Sequence, residues 1–211
     1  MKRPSWSTVA TVVGVSAILV YLMLAFGVAP VSDRLILVLA FAIGPAIMVA
    51  MLELYAGLAA SHDGRMLRTA TVFLVLGFAT LTAMLVVQQA IFIGADASFY
   101  VDQDLPAEET RRYVFMGLNM VQLGLDVTFD IFYSVGLILL GVIVYRSPEG
   151  GKILGGVAVV LAAALLALNI WTFPIPPSEA GLFDLGPATA IWWLVFILNG
   201  RRRKDPDGAA A

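Results

Sequence analysis

The sequence contains no cysteine and a single histidine, His62. Without cysteine the chain can form no disulfide, iron–sulfur cluster or thiolate metal site. One histidine is too few for a bis-histidine haem or a histidine-rich metal site within one chain. The lysines Lys2, Lys152 and Lys204 all lie outside the long apolar runs, which excludes a retinal Schiff base inside a membrane. We therefore expect no metal and no cofactor.

Charge is also scarce, because only 13% of the 211 residues are charged and 60% are hydrophobic. A soluble domain carries about 25% charged residues. The apolar residues form runs of about 20 residues, the length that a helix needs to cross the hydrocarbon layer. We predict an all-α, polytopic membrane bundle that forms a single domain with six transmembrane helices, at about 8–29, 35–60, 69–95, 113–145, 153–173 and 186–200.

Basic residues are concentrated in alternate connections between these runs. Ten of the thirteen lie in segments 1–7, 61–68, 146–152 and 201–211. The other three are Arg34, Arg111 and Arg112. Because short loops rich in Lys and Arg stay in the cytoplasm, we predict cytoplasmic N- and C-termini in a bacterial cytoplasmic (cell inner) membrane. The tail 201–211 is then basic, flexible and cytoplasmic, near anionic lipid headgroups, and we expect no nucleic-acid binding.

A stripe of polar residues runs along the fourth apolar segment. Its members are spaced 3, 4, 4 and 4 apart, and they are Asn119, Gln122, Asp126, Asp130 and Ser134. Such spacing places them on one face of a helix. An aspartate at the centre of a bilayer costs ~2.5–3.5 kcal/mol. We therefore expect this face to point into the bundle, a wet cavity or a partner chain, with at least one aspartate protonated at neutral pH.

Four further polar residues lie within other apolar runs. Glu53 lies on the second run, about two turns from its cytoplasmic end. Gln88, Gln89 and Asn169 lie in the outer halves of the third and fifth runs. They extend a predicted polar path from Asp126 towards the outside. No lysine or arginine lies deep in any run, so we expect no obvious cationic partner for Asp126, whereas Glu53 is within reach of the helix-end residues Arg65, Arg68 and Arg146.

Two other local features carry structural predictions. The pair Gly44-Pro45 lies inside the second run, where proline removes a helical hydrogen bond and is expected to kink the helix. Tryptophan rings favour membrane interfaces. We expect interface positions for Trp171, Trp192 and Trp193.

The polar stripe admits three structural interpretations. Its side chains can join helices by hydrogen bonds worth ~0.6 kcal/mol each, line a functional cavity, or meet another subunit. Catalysis has less support. Asp126 and Asp130 could hold Mg²⁺ beside a phosphorylated lipid, but the further aspartates and glycines of the CDP-alcohol transferases are absent. The segment "LGLD" at 123–126 lacks the second glycine of GxGD intramembrane proteases.

One segment carries a resemblance to known proteins. Residues 132–169 combine Leu140-Gly141, the run from Val144 to Ser147 and the helix start Leu154-Gly155-Gly156. This pattern resembles the fourth and fifth helices of a group of uncharacterised bacterial six-helix membrane proteins. The resemblance implies a six-span architecture, and it implies no established activity.

The leading functional hypothesis is a module that binds or conducts a proton or a small polar or cationic solute. Its predicted polar cavity has Asp126 and Asp130 at the floor and Glu53 on the cytoplasmic side. The first alternative is a non-catalytic accessory or structural subunit, whose polar face on the fourth helix packs against a partner membrane subunit or a second copy. A membrane-embedded, lipid-modifying enzyme is third. Membrane lipids are expected partners in every case.

Overall fold

The computed structural model describes residues 8–25, 33–59, 64–95, 108–147 and 151–202. Across these ranges all regular secondary structure is helical, which confirms the all-α part of the predicted fold class. The helices are α1 (Thr8–Ala25), α2 (Asp33–Ala59), α3 (Arg65–Ala95), α4 (Glu108–Arg146), α5 (Lys152–Thr172) and α6 (Gly186–Arg202). His62 and the tail from residue 203 onwards lie outside the described residues.

Four of the helices are long and apolar enough to cross a membrane. Their apolar segments are Arg34–Ala59, Arg65–Ile91, Arg112–Arg146 and Lys152–Thr172, in α2, α3, α4 and α5. The apolar parts of α1 and α6 are shorter, at Ala10–Met23 and Gly186–Asn199. The four long helices indicate a membrane protein, in agreement with the composition.

The helices form a ring in which each packs against its neighbour in sequence, and α1 packs against α6 to close it. Neighbouring helices run in opposite directions. On α3 and α4, Gly77 contacts Tyr133 and Leu74 contacts Gly136. Residue numbers therefore rise along one helix as they fall along the other. The ring is therefore an up-and-down arrangement that encloses a central space.

The contact between α4 and α5 is made through small residues. A Cβ atom added at Gly141 would lie 2.9 Å from both the Ala158 Cβ and the Gly155 carbonyl oxygen. A Cβ at Gly155 would meet the backbone of Tyr145 and of Gly141. Small residues let membrane helices approach at backbone distance, where van der Waals packing is strongest. Around this contact, Leu137 and Leu140 are completely buried.

Proline does not interrupt α2, which continues through Pro45. The residue before it, Gly44, lies against Thr82 of α3 so closely that a Cβ there would overlap the threonine hydroxyl. That hydroxyl donates a hydrogen bond to the Phe78 carbonyl oxygen at 2.8 Å. The Gly-Pro pair therefore marks a close approach between α2 and α3.

The helices differ in length, which makes the ring uneven. The helices α2, α3 and α4 have 27, 31 and 39 residues, whereas α1, α5 and α6 have 18, 21 and 17. Gly155 of α5 contacts Tyr145 of α4, and the two helices run in opposite directions. Thr172, the last residue of α5, lies 17 residues beyond Gly155, so it is level with about residue 128 of α4. The first 20 or so residues of α4 extend past the end of α5, over about 30 Å. We call the end of the ring where α5 ends and α6 begins the aspartate end.

Candidate functional site

A cavity of about 190 Å³ lies inside the ring, at the aspartate end. Residues of all six helices and of the connection 173–185 line it, and most of its surface is apolar. Its polar lining comes from a few side chains, which are Tyr21, Asp126, Asp130, Asn169, Ser178, Asp184 and Thr189. The cavity therefore combines apolar walls with a small number of convergent polar groups, as ligand sites usually do.

Three carboxylates meet at this cavity. Asp126 and Asp130 are one helical turn apart on α4, and both side chains point into the cavity. Asp184 approaches from the connection between α5 and α6 and interacts electrostatically with both. Exposure decreases inwards, because Asp184 is exposed, Asp126 is half-buried and Asp130 is only 5% exposed. The site is therefore rich in carboxyl groups, and Asp130 is the most desolvated of the three.

Asp130 has no compensating partner within the described part of the chain. No hydrogen bond or ion pair from a described residue reaches its carboxylate. Among the described residues, no lysine, arginine or histidine lines the cavity. A buried carboxylate without a partner is costly. A bound proton or cation would therefore compensate the burial of Asp130.

Aromatic rings form one wall beside the carboxylates. The rings of Phe129 and Tyr133 are stacked with centroids 5.2 Å apart, and Phe78 meets Tyr133 edge-on at 5.8 Å. The Trp193 indole N–H donates a hydrogen bond to the Tyr133 hydroxyl at 3.0 Å. This bond joins α6 to α4 and holds both rings in place. The wall is therefore preorganised by contacts among its own residues.

The connection 173–185 is positioned by its own hydrogen bonds. The Gly186 N–H donates to the Asp184 carboxylate at 2.8 Å at the start of α6. An aspartate in this position satisfies a free N–H at the helix start. The Leu182 N–H donates to the Pro177 carbonyl oxygen at 2.8 Å. These bonds fold the connection into turns and keep Asp184 at the edge of the cavity.

The structure brings three of the nine predicted site residues to the cavity. They are Asp126, Asp130 and Asn169, and the Asn169 amide also donates to the Leu165 carbonyl oxygen of its own helix at 3.1 Å. The other six do not line it, and they are Asn119, Gln122, Ser134, Glu53, Gln88 and Gln89. The role of the cavity residues in binding remains a prediction.

The six residues outside the cavity have different surroundings. Asn119 is exposed and Gln122 half-buried, on the part of α4 that extends past α5. Ser134 is completely buried, and its hydroxyl has no hydrogen-bond partner among the described residues. Glu53 is half-buried on α2. On α3, Gln88 is half-buried and Gln89 is 9% exposed.

Several lining residues were missed by sequence reasoning. Asp184 lies in a connection that the sequence marks only as acidic, and Tyr21 and Thr189 carry no periodic signal. The sequence predicts interface positions for Trp192 and Trp193, but both side chains are buried inside the ring, at 4% and 3% exposure. The length of the connection 173–185 was the one sequence feature that could have indicated Asp184, because thirteen residues are enough for the chain to fold back over the ring.

The donor set of the cavity does not suit a metal ion. Over the described ranges, no group of three or more His, Cys, Asp or Glu side chains is close enough to hold one. Two of the three aspartates lie one turn apart on α4 and the third lies in the connection 173–185. The carboxyl groups of the site are therefore divided between these two segments.

No protein-family model matches this chain, and the searches of curated proteins and of solved structures find no match either. The resemblance of residues 132–169 to six-helix bacterial membrane proteins thus stays a prediction. Function has to be argued from the cavity itself.

Proposed function

We propose that this protein is a membrane-embedded module that binds a proton or a small polar or cationic solute in the aspartate-end cavity and permits its passage. One observation carries the proposal. Asp130 faces the cavity, is 5% exposed, and has two further carboxylates within electrostatic range. A desolvated anionic site without a basic residue in its described lining attracts a positive charge.

The same proposal includes the way the chain crosses the membrane. In this proposal all six helices span it, and the packing of α1 and α6 into the same ring as the four long helices supports this. These two helices have 18 and 17 residues, at the lower limit of the roughly 17–25 apolar residues that a span requires, and their apolar parts, Ala10–Met23 and Gly186–Asn199, are shorter still. Both termini lie in the cytoplasm of a bacterial cell, as the distribution of basic residues favours. The aspartate end then faces outwards.

The decisive experiment removes the two helix carboxylates without changing their shape. The double variant Asp126→Asn and Asp130→Asn should fold and lose cation binding, measured by titration calorimetry in mild detergent and by uptake into proteoliposomes. Glu53→Gln is the matched control, because it removes a half-buried carboxylate that does not line the cavity. Unchanged binding and uptake in the double variant would refute the proposal.

A second candidate function is an accessory subunit that packs against a partner membrane protein or a second copy. The observation in its favour is the part of α4 that extends past α5, where Asn119 is exposed beside Met116 and Met120, both more than 50% exposed. If Asn119→Leu releases a co-purifying protein or dissociates an oligomer while cation binding persists, this part of α4 is a subunit contact.

A further inference from the structure

We propose that the occupant of the aspartate-end cavity is an organic ammonium ion whose apolar body is about the size of a benzene ring. This inference rests on the proposed function and names the class of its solute. Four observations support it: the volume of the cavity, the composition of its walls, the burial of Asp130 and the distribution of the carboxylates.

The volume sets the size of the occupant. An apolar cavity of about 150 Å³ in another protein admits benzene. The cavity here measures about 190 Å³, which leaves space for one ring and a short head group. It is smaller than the roughly 300 Å³ at which sites for drug-sized ligands begin. A bare proton or inorganic ion would leave most of the apolar wall in contact with water.

The side chains of the cavity walls determine which kind of apolar group the ligand can carry. Besides the carboxylates, the cavity is lined largely by aliphatic and aromatic side chains, among them Phe78, Phe129, Tyr133 and Trp193. Aromatic rings attract cations through the negative face of the ring, most strongly where water is excluded. They also bury apolar surface at low entropic cost. An ammonium group attached to an apolar body uses both properties of this wall.

Asp130 sets the charge of the head group. Its side chain is at least nine-tenths buried, lines the cavity and has no partner among the described residues. This observation is independent of the clustering of carboxylates, because it concerns one buried group that faces the cavity. A cationic head beside Asp130 supplies the missing partner. A neutral ligand of the same shape brings no compensating charge and an anionic one adds a repelling charge, so the site binds the first more weakly and excludes the second.

The distribution of carboxylates favours an organic cation over a metal ion. A calcium ion takes six to eight oxygen ligands at 2.3–2.6 Å, and magnesium takes six. The cavity offers three aspartates among aromatic and aliphatic lining residues, and no three acidic side chains of the described residues group closely enough to hold a metal ion. An alkylammonium ion makes fewer directional contacts and tolerates apolar neighbours. Asp130 is then the counter-ion, Asp126 adds a weaker attraction and Asp184 attracts the cation at the edge.

The test compares ligands of one shape and different charge. Benzylammonium, benzyl alcohol and benzoate are titrated into the detergent-solubilised protein, with sodium, potassium and calcium chlorides alongside. We expect benzylammonium to bind at least tenfold more tightly than benzyl alcohol, and benzoate not to bind. The preference should disappear in Asp130→Asn and persist in Glu53→Gln. Phe129→Leu should weaken benzylammonium binding about two- to fivefold, which is the size of one cation–aromatic contact.

Chemical labelling of the wild-type protein tests the same proposal even if Asp130→Asn does not fold. A hydrophobic carbodiimide is reacted with the protein, and mass spectrometry follows the loss of unmodified Asp130, so that capture of the activated carboxyl by the amine as an amide counts as modification too. Benzylammonium should slow this modification at least fivefold, whereas benzyl alcohol at the same concentration should not. Equal protection by both compounds would contradict a charge-selective site.

The outcomes separate this inference from the proposed function. If inorganic cations or protons bind in an Asp130-dependent manner and benzylammonium gains nothing over benzyl alcohol, the inference is wrong and the proposed function stands. If no cation binds in an Asp130-dependent manner, both are wrong. If benzylammonium binds equally well to Asp130→Asn, it occupies a different place and the inference also fails.

Discussion

The two halves of α4 have different surroundings, although they belong to one continuous helix. From about residue 135 to residue 146, α4 packs on α5 through Gly141 and buries Leu137 and Leu140 completely. Before residue 134, the same helix lines a cavity with Asp126 and Asp130. The difference shows how one membrane helix combines rigid packing with a polar site. Close packing in one half holds the carboxylates of the other half at a defined position.

The largest expected effect concerns which side of the membrane each end of the ring faces. The chain has no cysteine, so a single introduced cysteine is a unique label. Glu179→Cys lies in the exposed connection at the aspartate end, and Lys152→Cys lies at the opposite end, at the exposed start of α5. A membrane-impermeant maleimide should label Glu179→Cys in intact cells, and Lys152→Cys only after permeabilisation. The reverse pattern would overturn the proposed orientation.

The next largest effect concerns the packed half of α4, from about residue 135 to residue 146. Gly155→Leu places a side chain against the backbone of Tyr145 and Gly141, so α4 and α5 must separate. We expect a loss of about 3 kcal/mol in the free energy of unfolding, measured by denaturant titration in detergent. Gly156→Leu is the matched control, because a Cβ there would meet no atom within 4 Å. Equal stability of the two variants would show that the α4–α5 contact is looser than described.

The smallest effect concerns the boundary between the two halves. Ser134 is completely buried and its hydroxyl has no hydrogen-bond partner among the described residues. Ser134→Ala should therefore raise the free energy of unfolding, by about 1 kcal/mol. Thr71→Val is the comparison, since the Thr71 hydroxyl donates to the Leu67 carbonyl oxygen at 2.9 Å and its loss should not stabilise the protein. A destabilising Ser134→Ala would mean that the hydroxyl has a partner.

The helices themselves were predictable from the sequence, because each apolar run is long and bounded by polar or proline-rich segments. Among the helix starts that the structure describes, that of α4 at Glu108 differs most, five residues before the predicted run, and that of α3 at Arg65 is four residues early. Acidic residues at the start of α4 favour the first turn of a helix. A hydropathy pattern does not include such residues, so it places the helix start too late.

The candidate site was only partly predictable. Spacing on α4 correctly put Asp126 and Asp130 on one face, but it could not tell which members of the stripe reach the cavity. Periodicity gives the face of a helix, whereas depth along the ring depends on where the neighbouring helices end. Asn119 lies beyond the end of α5, and Ser134 lies at the boundary with the packed half of α4, where it is completely buried. Asp184 reaches the cavity only through the folding of its connection, which no local pattern encodes.

The most direct test of the central claim is the reactivity of a cysteine at residue 130. In the cysteine-free chain, Asp130→Cys faces the cavity beside Asp126 and Asp184, whereas Ile131→Cys lies on the exposed outer face of α4. Rates with positively and negatively charged methanethiosulfonates are normalised to a free thiol. We predict that Asp130→Cys reacts at least tenfold faster with the cationic reagent, and that Ile131→Cys reacts slowly with both. Equal rates for the two reagents at residue 130, or faster reaction at residue 131, would contradict an inward-facing anionic cavity.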